Sequence, residues 1–294
     1  MKGGPAPGAQ TPKPKLAIYG AASCGGCDIA LINLHEHLLE LAAAFEIVFW
    51  PTVVEGKYAD LHAAADGELA LSLVSGGMRT AETVELAHLL RRKSRLLVAL
   101  GSCAQEGCIP GWANLSSAEQ ILETVFSTVS PDEARKLRPI CEYAAPEGTL
   151  HLPAFEPSLR SLGQVVRVDY TIPGCPPESE TIWAALSALT GALGGAEALP
   201  PRGAVLGAGQ TTVCDECPRT RGVKNIRRFV RYQQVAAFDP QICLLEQGWP
   251  APDRPPATAA GPSARRSPPP ASAAMGQPRG WRTPADACCR LSPR

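Results

Sequence analysis

Lys15-Leu16-Ala17-Ile18-Tyr19 (KLAIY), closed by Gly20 and followed by Ser23-Cys24-Gly25-Gly26-Cys27 (SCGGC), is the stretch on which the fold turns. A short apolar run stopped by glycine reads as a buried strand. Beyond it, Ile29, Leu31, Leu34, Leu38, Leu39 and Leu41 keep helical spacing, which predicts a helix from Ala30 to Ala44. Glu46–Trp50 (EIVFW) ends at Pro51 and reads as a second strand. Leu69–Val74 makes a third, stopped by Ser75-Gly76-Gly77, and Leu96–Leu100 a fourth, stopped by Gly101. Between them Thr80–Arg92 reads as a helix with Thr80 as its N-cap. Ser117–Thr128 predicts another helix, and the sequence around Pro139, Pro146 and Pro153 reads as loop. Val165–Tyr170 (VVRVDY) predicts a fifth strand, and a helix over Glu178–Leu193 follows Pro176-Pro177, which suit a first turn because their missing N–H groups are not needed there. Strands alternating with helices call for an α/β fold, a flavodoxin-like doubly wound parallel sheet covered on both faces.

The chain has 294 residues, 45% of them apolar, enough to build a packed core. Lysine plus arginine and aspartate plus glutamate each count 28, so the overall charge gives no reason to expect nucleic acid or an anionic membrane as partner. No apolar run approaches the about 18 residues of a spanning helix, so no membrane insertion is expected. The first residues carry no export signal, which predicts a cytoplasmic location. There, eleven cysteines point to metal binding or redox chemistry rather than to disulfides. Residues 1–14 are expected to be disordered. At Trp249 the composition changes: residues 250–294 hold 11 prolines and 10 alanines, one leucine, and no Val, Ile, Phe or Tyr. A stretch like that cannot form a core and is expected to be disordered. Its seven arginines against two aspartates leave residues 1–249 at about −5.

Cys24 and Cys27 follow the first strand, Cys103 (GSCA) the fourth and Cys175 (PGCPP) the fifth. All lie just past the carboxyl ends of expected parallel strands, where open α/β sheets place ligand crevices. Four thiolates meeting there suit an iron–sulfur cubane or a tetrahedral zinc, and the Gly25-Gly26 spacer lets backbone N–H groups approach an inorganic core. Zinc sites more often use two closely spaced pairs. A thioredoxin-like redox pair would use Cys24 and Cys27 alone and leave Cys103 and Cys175 unexplained. These readings remain open at the level of spacing.

SCGGCDIA (23–30), GGMRT (76–80), VALGSCAQEGCIPGWANL (98–115), VDYTIPGCPP (168–177) and TTVCDECPRTR (211–221) together resemble the small subunit of cytoplasmic NiFe hydrogenases, of the methyl-viologen-reducing type linked to heterodisulfide reductase. More distantly they are similar to the 20 kDa subunit of respiratory complex I. The resemblance covers about 15–249. It implies that Cys24, Cys27, Cys103 and Cys175 hold a proximal 4Fe-4S cluster facing the nickel–iron site of a large subunit, within a flavodoxin-like domain over 15–200. It implies an electron-transfer subunit that does not itself cleave hydrogen. Its partners would be the large subunit and an iron–sulfur or flavin acceptor such as heterodisulfide reductase. Complex-I-like and sulfhydrogenase small subunits, which use another acceptor, are the neighbouring alternatives. A zinc-thiolate binding or assembly protein is the alternative from another class.

The resemblance also makes Cys214, Cys217 and Cys243 (CLLEQG) ligands of a second cluster in a small C-terminal iron–sulfur segment, 201–249. Alone, the Cys214–Cys217 pair reads equally as half a zinc knuckle. Relatives continue past LLEQG with further cysteines, whereas this chain passes into arginine, proline and alanine, so the second cluster is expected to be incomplete. Cys288-Cys289 are poor substitutes, and a frameshift or sequencing error is the expected origin of the tail. The basic run 219–231 reads as a solvated face or a partner-facing one. Cys108, five positions after Cys103, reads as a small buried hydrophobe, with an alternative ligand or redox-sensitive neighbour as the other readings, and Cys141 carries the same bland reading. Asp28 is expected to favour the N-terminal end of its helix dipole, a proton relay being the second reading. His35, His37, His62, His88 and His151 read as surface or packing residues.

Overall fold

The computed structural model describes residues 12–129, 139–207, 213–223, 228–230 and 239–249. Residues Met1–Ala208 form one compact unit. Its elements are β1 (Lys15–Gly20), α1 (Gly26–Ile32), α2 (His37–Ala44), β2 (Glu46–Phe49), α3 (Tyr58–Ala63), β3 (Leu69–Ser75), β4 (Met78–Thr80), α4 (Ala81–Lys93), β5 (Ser94–Leu100), α5 (Gly101–Glu106), a 3-10 segment (Ile109–Leu115), α6 (Ala118–Glu123), β6 (Glu142–Ala145), β7 (Gly148–His151), β8 (Phe155–Arg160), α7 (Leu162–Val165), β9 (Tyr170–Ile172) and α8 (Ser179–Leu193). Five strands form one parallel sheet in the order β2-β1-β3-β5-β9. With β9 as the fifth strand this is the flavodoxin order.

The two-residue period of the central strands sorts side chains to the two faces. Leu16 and Ile18, Leu71 and Leu73, and Leu96 and Val98 join one cluster with Ala30 and Leu31 of α1, Leu41 of α2 and Ile182 and Leu186 of α8. Ala17 and Tyr19, Val74, and Leu97 and Ala99 join the other with Leu86, Leu89 and Leu90 of α4, and Leu69, beyond the register shift at the start of β3, joins it out of period. Each such leucine, buried in full, contributes about 1.5–3 kcal/mol. Helix α4 starts as the sequence predicts: Thr80 Oγ1 accepts from the Thr83 N–H at 3.3 Å, and Thr83 Oγ1 accepts from the Thr80 N–H at 3.0 Å.

Three expectations are corrected. The single helix from Ala30 to Ala44 is two, because the chain tightens into i→i+3 bonds at Leu34 and His35, and His35 takes a left-handed φ of 52°. The VVRVDY strand is displaced. Ser161 donates its N–H to Gln164 Oε1 at 2.8 Å, and this capping box turns Leu162–Val165 into helix α7. Pairing begins only where Asp169 reaches β5: its N–H donates to the Leu97 carbonyl and its Oδ2 accepts the Leu97 N–H, both at 2.9 Å. The fifth strand is therefore Tyr170–Ile172. The segment read as loop around Pro146 and Pro153 forms an antiparallel β6–β7 hairpin and a strand, β8, that pairs with β4.

Residues Gly209–Arg294 make a second unit. Its described part holds α9 (Val213–Glu216), a 3-10 turn (Leu245–Gln247) and a parallel bridge between Thr220 and Ile242. The expectations for residues 1–11 and 250–294, Cys288 and Cys289 included, lie outside the described residues. Among the described residues, no helix is long and apolar enough to cross a membrane.

Candidate metal centre

Three loops at the carboxyl edge of the sheet carry cysteines. The first leaves β1 and is clasped to the loop after β3: Ala21 donates its N–H to the Ser75 carbonyl at 2.9 Å, and Ala22 and Gly77 exchange N–H···O bonds of 3.1 and 2.9 Å. A Cβ on Gly76, whose φ is +81°, would stand 2.7 Å from the Ala21 carbonyl carbon, so only glycine admits this approach. The clasp aims Ser23–Gly26 across the sheet edge, with Gly25 in the left-handed region as N-cap of α1. Cys24 is exposed and Cys27 buried. The second loop is α5, which starts directly after β5 and carries buried Cys103. The third follows β9 and carries exposed Cys175. Ser102 N–H donates to the Gly174 carbonyl at 2.7 Å, tying the second and third loops together. Ser179 Oγ donates to the Ala30 carbonyl at 3.2 Å, tying α8 to α1.

The structure brings Cys24, Cys27, Cys103 and Cys175 to one edge of the sheet, near enough for their charges to act on the buried thiols. Burial first, then the charges of Cys103, Asp28, Cys24 and Cys175, push the Cys27 thiol up to about 12. Burial, then Cys108, Cys175 and Cys24, push Cys103 up to about 11. Cys175 is raised by burial and by its neighbour Cys108. Burial and neighbouring thiols thus favour the protonated forms of Cys27, Cys103 and Cys175, and a cationic core beside them would favour the thiolates. Glycine also lets the backbone lie against two of the sulfurs. A Cβ on Gly26 would come 3.3 Å from Cys24 Sγ, and one on Gly101 would come 2.5 Å from Cys27 Sγ. Four cysteine thiols are a donor set that a 4Fe-4S cluster fits. Among the described residues, no group of three or more Cys, His, Asp or Glu side chains closes on a single metal-ion position.

Three residues differ from their sequence readings. Cys108 is half-buried rather than a core hydrophobe, and it stands near enough to Cys103 and Cys175 to raise both thiols. Cys141 is exposed. Asp28, 5% exposed, does more than favour a helix dipole: its Oδ1 accepts from Trp50 Nε1 at 2.9 Å and Thr52 Oγ1 at 3.3 Å, pinning α1 to the end of β2. His37 is a packing residue, stacked on Trp183 with centroids 4.4 Å apart.

In the second unit Cys214 is exposed and Cys217 and Cys243 are half-buried. The Cys243 N–H donates to the Thr220 carbonyl at 2.9 Å and Arg219 Nη1 donates to Cys217 Sγ at 3.8 Å, so the segments carrying Cys217 and Cys243 run side by side. Part of the basic run, residues 224–227 and 231, lies outside the described residues.

Residues 24–189 match the family described as NADH ubiquinone oxidoreductase, 20 kDa subunit. The chain is 36% identical over 242 residues to the iron–sulfur subunit of the F420-non-reducing hydrogenase of Archaeoglobus profundus, covering 80% of this chain and 73% of that one. It is 35% identical over 237 residues to the corresponding vhu F420-non-reducing hydrogenase chain of Methanococcus voltae, covering 81% and 73%. Among solved structures it is similar to a chain of an NAD+-reducing [NiFe]-hydrogenase in the H2-reduced state, with TM-score 0.53 and 32% identity over 64% of this chain and 96% of that one.

Proposed function

This chain belongs to the NADH ubiquinone oxidoreductase 20 kDa subunit family, and we propose that it is the iron–sulfur electron-transfer small subunit of a cytoplasmic NiFe hydrogenase. In this reading Cys24, Cys27, Cys103 and Cys175 hold a 4Fe-4S cluster, and electrons pass between a large subunit's nickel–iron site and an iron–sulfur or flavin acceptor such as heterodisulfide reductase. The observation that carries it is the gathering of four thiols from three loops at one sheet edge, with glycines lying against the sulfurs of Cys24 and Cys27. When bound, the cluster supplies one-electron redox chemistry.

The chain's own residues bind and position. Cys27 and Cys103, both buried, shield the inner side of the centre from water, while exposed Cys24 and Cys175 put its outer side at the surface. The segments that carry the thiols also expose apolar side chains: Ile29 and Ile32 on α1, and Ile109, Trp112 and Leu115 beyond α5, Trp112 and Leu115 at 72% and 79%. Apolar groups grouped in this way suit burial against a large subunit. Cys214, Cys217 and Cys243 supply three thiols toward a second, incomplete cluster.

Single Cys103→Ser and Cys175→Ser variants test the reading, since a hydroxyl is a poor substitute for thiolate on iron. Both should lose the cluster's visible absorbance and its reduced-state paramagnetic signal; full cluster content in both would overturn the assignment.

A further inference from the structure

Just past the helix that carries Cys103 the chain braces open a cavity. Helix α5 ends at Gly107, and the 3-10 segment Ile109–Leu115 is tied back to that end where the Gly111 N–H donates to the Gly107 carbonyl at 2.9 Å. The far end of the segment is laced to β8 by one side chain. Asn114 Nδ2 donates to the Leu159 carbonyl at 2.8 Å and its Oδ1 accepts the Leu159 N–H at 2.7 Å, the pair of bonds a neighbouring strand would make. Between these ties lies a cavity of about 430 Å³, lined by apolar Trp112, Leu115 and Leu159 and by a single charged residue, Glu106. Of the other polar groups there, Asn114 is engaged by Leu159, and Gln164 Oε1 accepts the Ser161 N–H at 2.8 Å. The Glu106 side chain is exposed and, among the described residues, meets no ion-pair or hydrogen-bond partner. It also ends α5, where unpaired helix carbonyls already gather partial negative charge. A carboxylate placed there is unfavourable alone and favourable beside a cation.

Resting on the small-subunit reading above, we infer that this cavity is the anchor site for one cationic side chain, a lysine or arginine, of the large subunit. The aliphatic stem of that side chain lies against Leu115 and Leu159, its head pairs with Glu106, and the exposed Trp112 indole offers a face to the charge. Charge complementarity selects this occupant. An apolar side chain would bury the Glu106 carboxylate unpaired, and an acidic one would set like charges together. Because the Asn114–Leu159 bonds hold the walls in place beforehand, binding has little left to order, and preformed pockets with an aromatic wall are where interfaces concentrate their affinity. Glu106 stands three positions after Cys103 on α5, so a partner anchored here is seated beside the gathered thiols.

The test is the affinity of the full chain for a co-expressed NiFe large subunit, read from dissociation of the anaerobically purified complex on dilution at low and at high salt, with iron and sulfide counted in each preparation. Glu106→Gln, which keeps size and removes charge, should weaken the complex about tenfold or more at low salt, and Glu106→Lys should weaken it further. Both should keep wild-type iron and sulfide. The gap between Glu106→Gln and wild type should close at high salt, because screening removes what the substitution removed. Trp112→Ala should weaken the complex while keeping the salt sensitivity of the wild type. Wild-type affinity in the Glu106 variants or in Trp112→Ala, or a loss in Glu106→Gln that is equal at both salts, would overturn the inference. So would loss of self-association in Glu106→Gln with large-subunit binding intact, which would give the cavity to a second copy of this chain. A wild-type chain that binds no large subunit fails earlier: it speaks against the small-subunit reading and leaves the anchor without its occupant.

Discussion

Cys27 Sγ occupies the space in front of Gly101: a Cβ at that glycine would stand 2.5 Å from the sulfur, far inside contact distance. Gly101 also holds φ at +81°, joins β5 to α5 and begins the turn that presents Cys103. One glycine thus sets the approach of two thiols from different loops.

Gly101→Ala should therefore fail twice, through a left-handed residue with a Cβ and through displacement of the Cys27 sulfur. Destabilisation of about 1–3 kcal/mol is expected, together with loss of bound iron. Thermal unfolding and iron analysis of the same preparation check both effects. Gly111→Ala is the control, because a Cβ there meets nothing within 4 Å and no left-handed φ is involved.

Asp28 binds α1 to β2 through Trp50. Truncating it in Asp28→Ala leaves the buried indole N–H without its acceptor, at a cost of about 1–3 kcal/mol. Asp28→Asn keeps an acceptor oxygen and should recover most of that loss. Urea unfolding followed by tryptophan fluorescence distinguishes the two.

The raised thiols make the metal-free chain sensitive to alkali. Cys27 and Cys103 titrate in the folded chain at about 12 and about 11, above the ordinary value of 9.0. The folded state therefore keeps protons that the unfolded state gives up. The stability this contributes is whole below pH about 9 and is lost as pH rises through about 11 to 12. Urea midpoints of the metal-free chain should fall steeply above pH about 9, and Cys27→Ala should flatten that fall. A flat profile in the wild type would contradict the assigned burial.

Asp169 anchors the last strand. Its carboxylate, fully buried, pairs with Arg91 at 2.6 Å and with Arg202, and accepts the Leu97 N–H. Asp169→Ala leaves the buried Leu97 N–H without its side-chain acceptor and two part-exposed guanidinium groups without their partner, and should cost about 1–3 kcal/mol. Because β9 leads into the Cys175 loop, the same variant should bind less iron, read by iron analysis after anaerobic purification.

The sequence made the central strands legible because β1, β3 and β5 are buried on both faces, and a buried parallel strand shows as an unbroken apolar run. That legibility extended to the site, since every cysteine loop begins where such a run, or the short strand β9, ends. It failed where polar side chains replace backbone bonds. The Ser161–Gln164 capping box and the Asp169–Leu97 pairing turn a valine-rich stretch into a helix, a loop and a late, short strand. Cys108 was misread for a related reason: spacing places it five positions from Cys103, but the left-handed turn at Gly107-Cys108, which leaves it half-buried beside the core, has no signal in the sequence around it. Asp28 showed as a helix-start carboxylate, while its partners, Trp50 and Thr52, are more than twenty positions away.

The central claim is that these thiols hold an iron–sulfur cluster, and counting metal and acid-labile sulfide in the anaerobically purified chain tests it most directly. One complete cubane predicts about four iron atoms and about four sulfides per chain, with any partial second cluster adding to both, and with both falling together in Cys24→Ser, Cys27→Ser, Cys103→Ser and Cys175→Ser variants. Stoichiometric zinc with no sulfide, or iron and sulfide unchanged in those four variants, would contradict it.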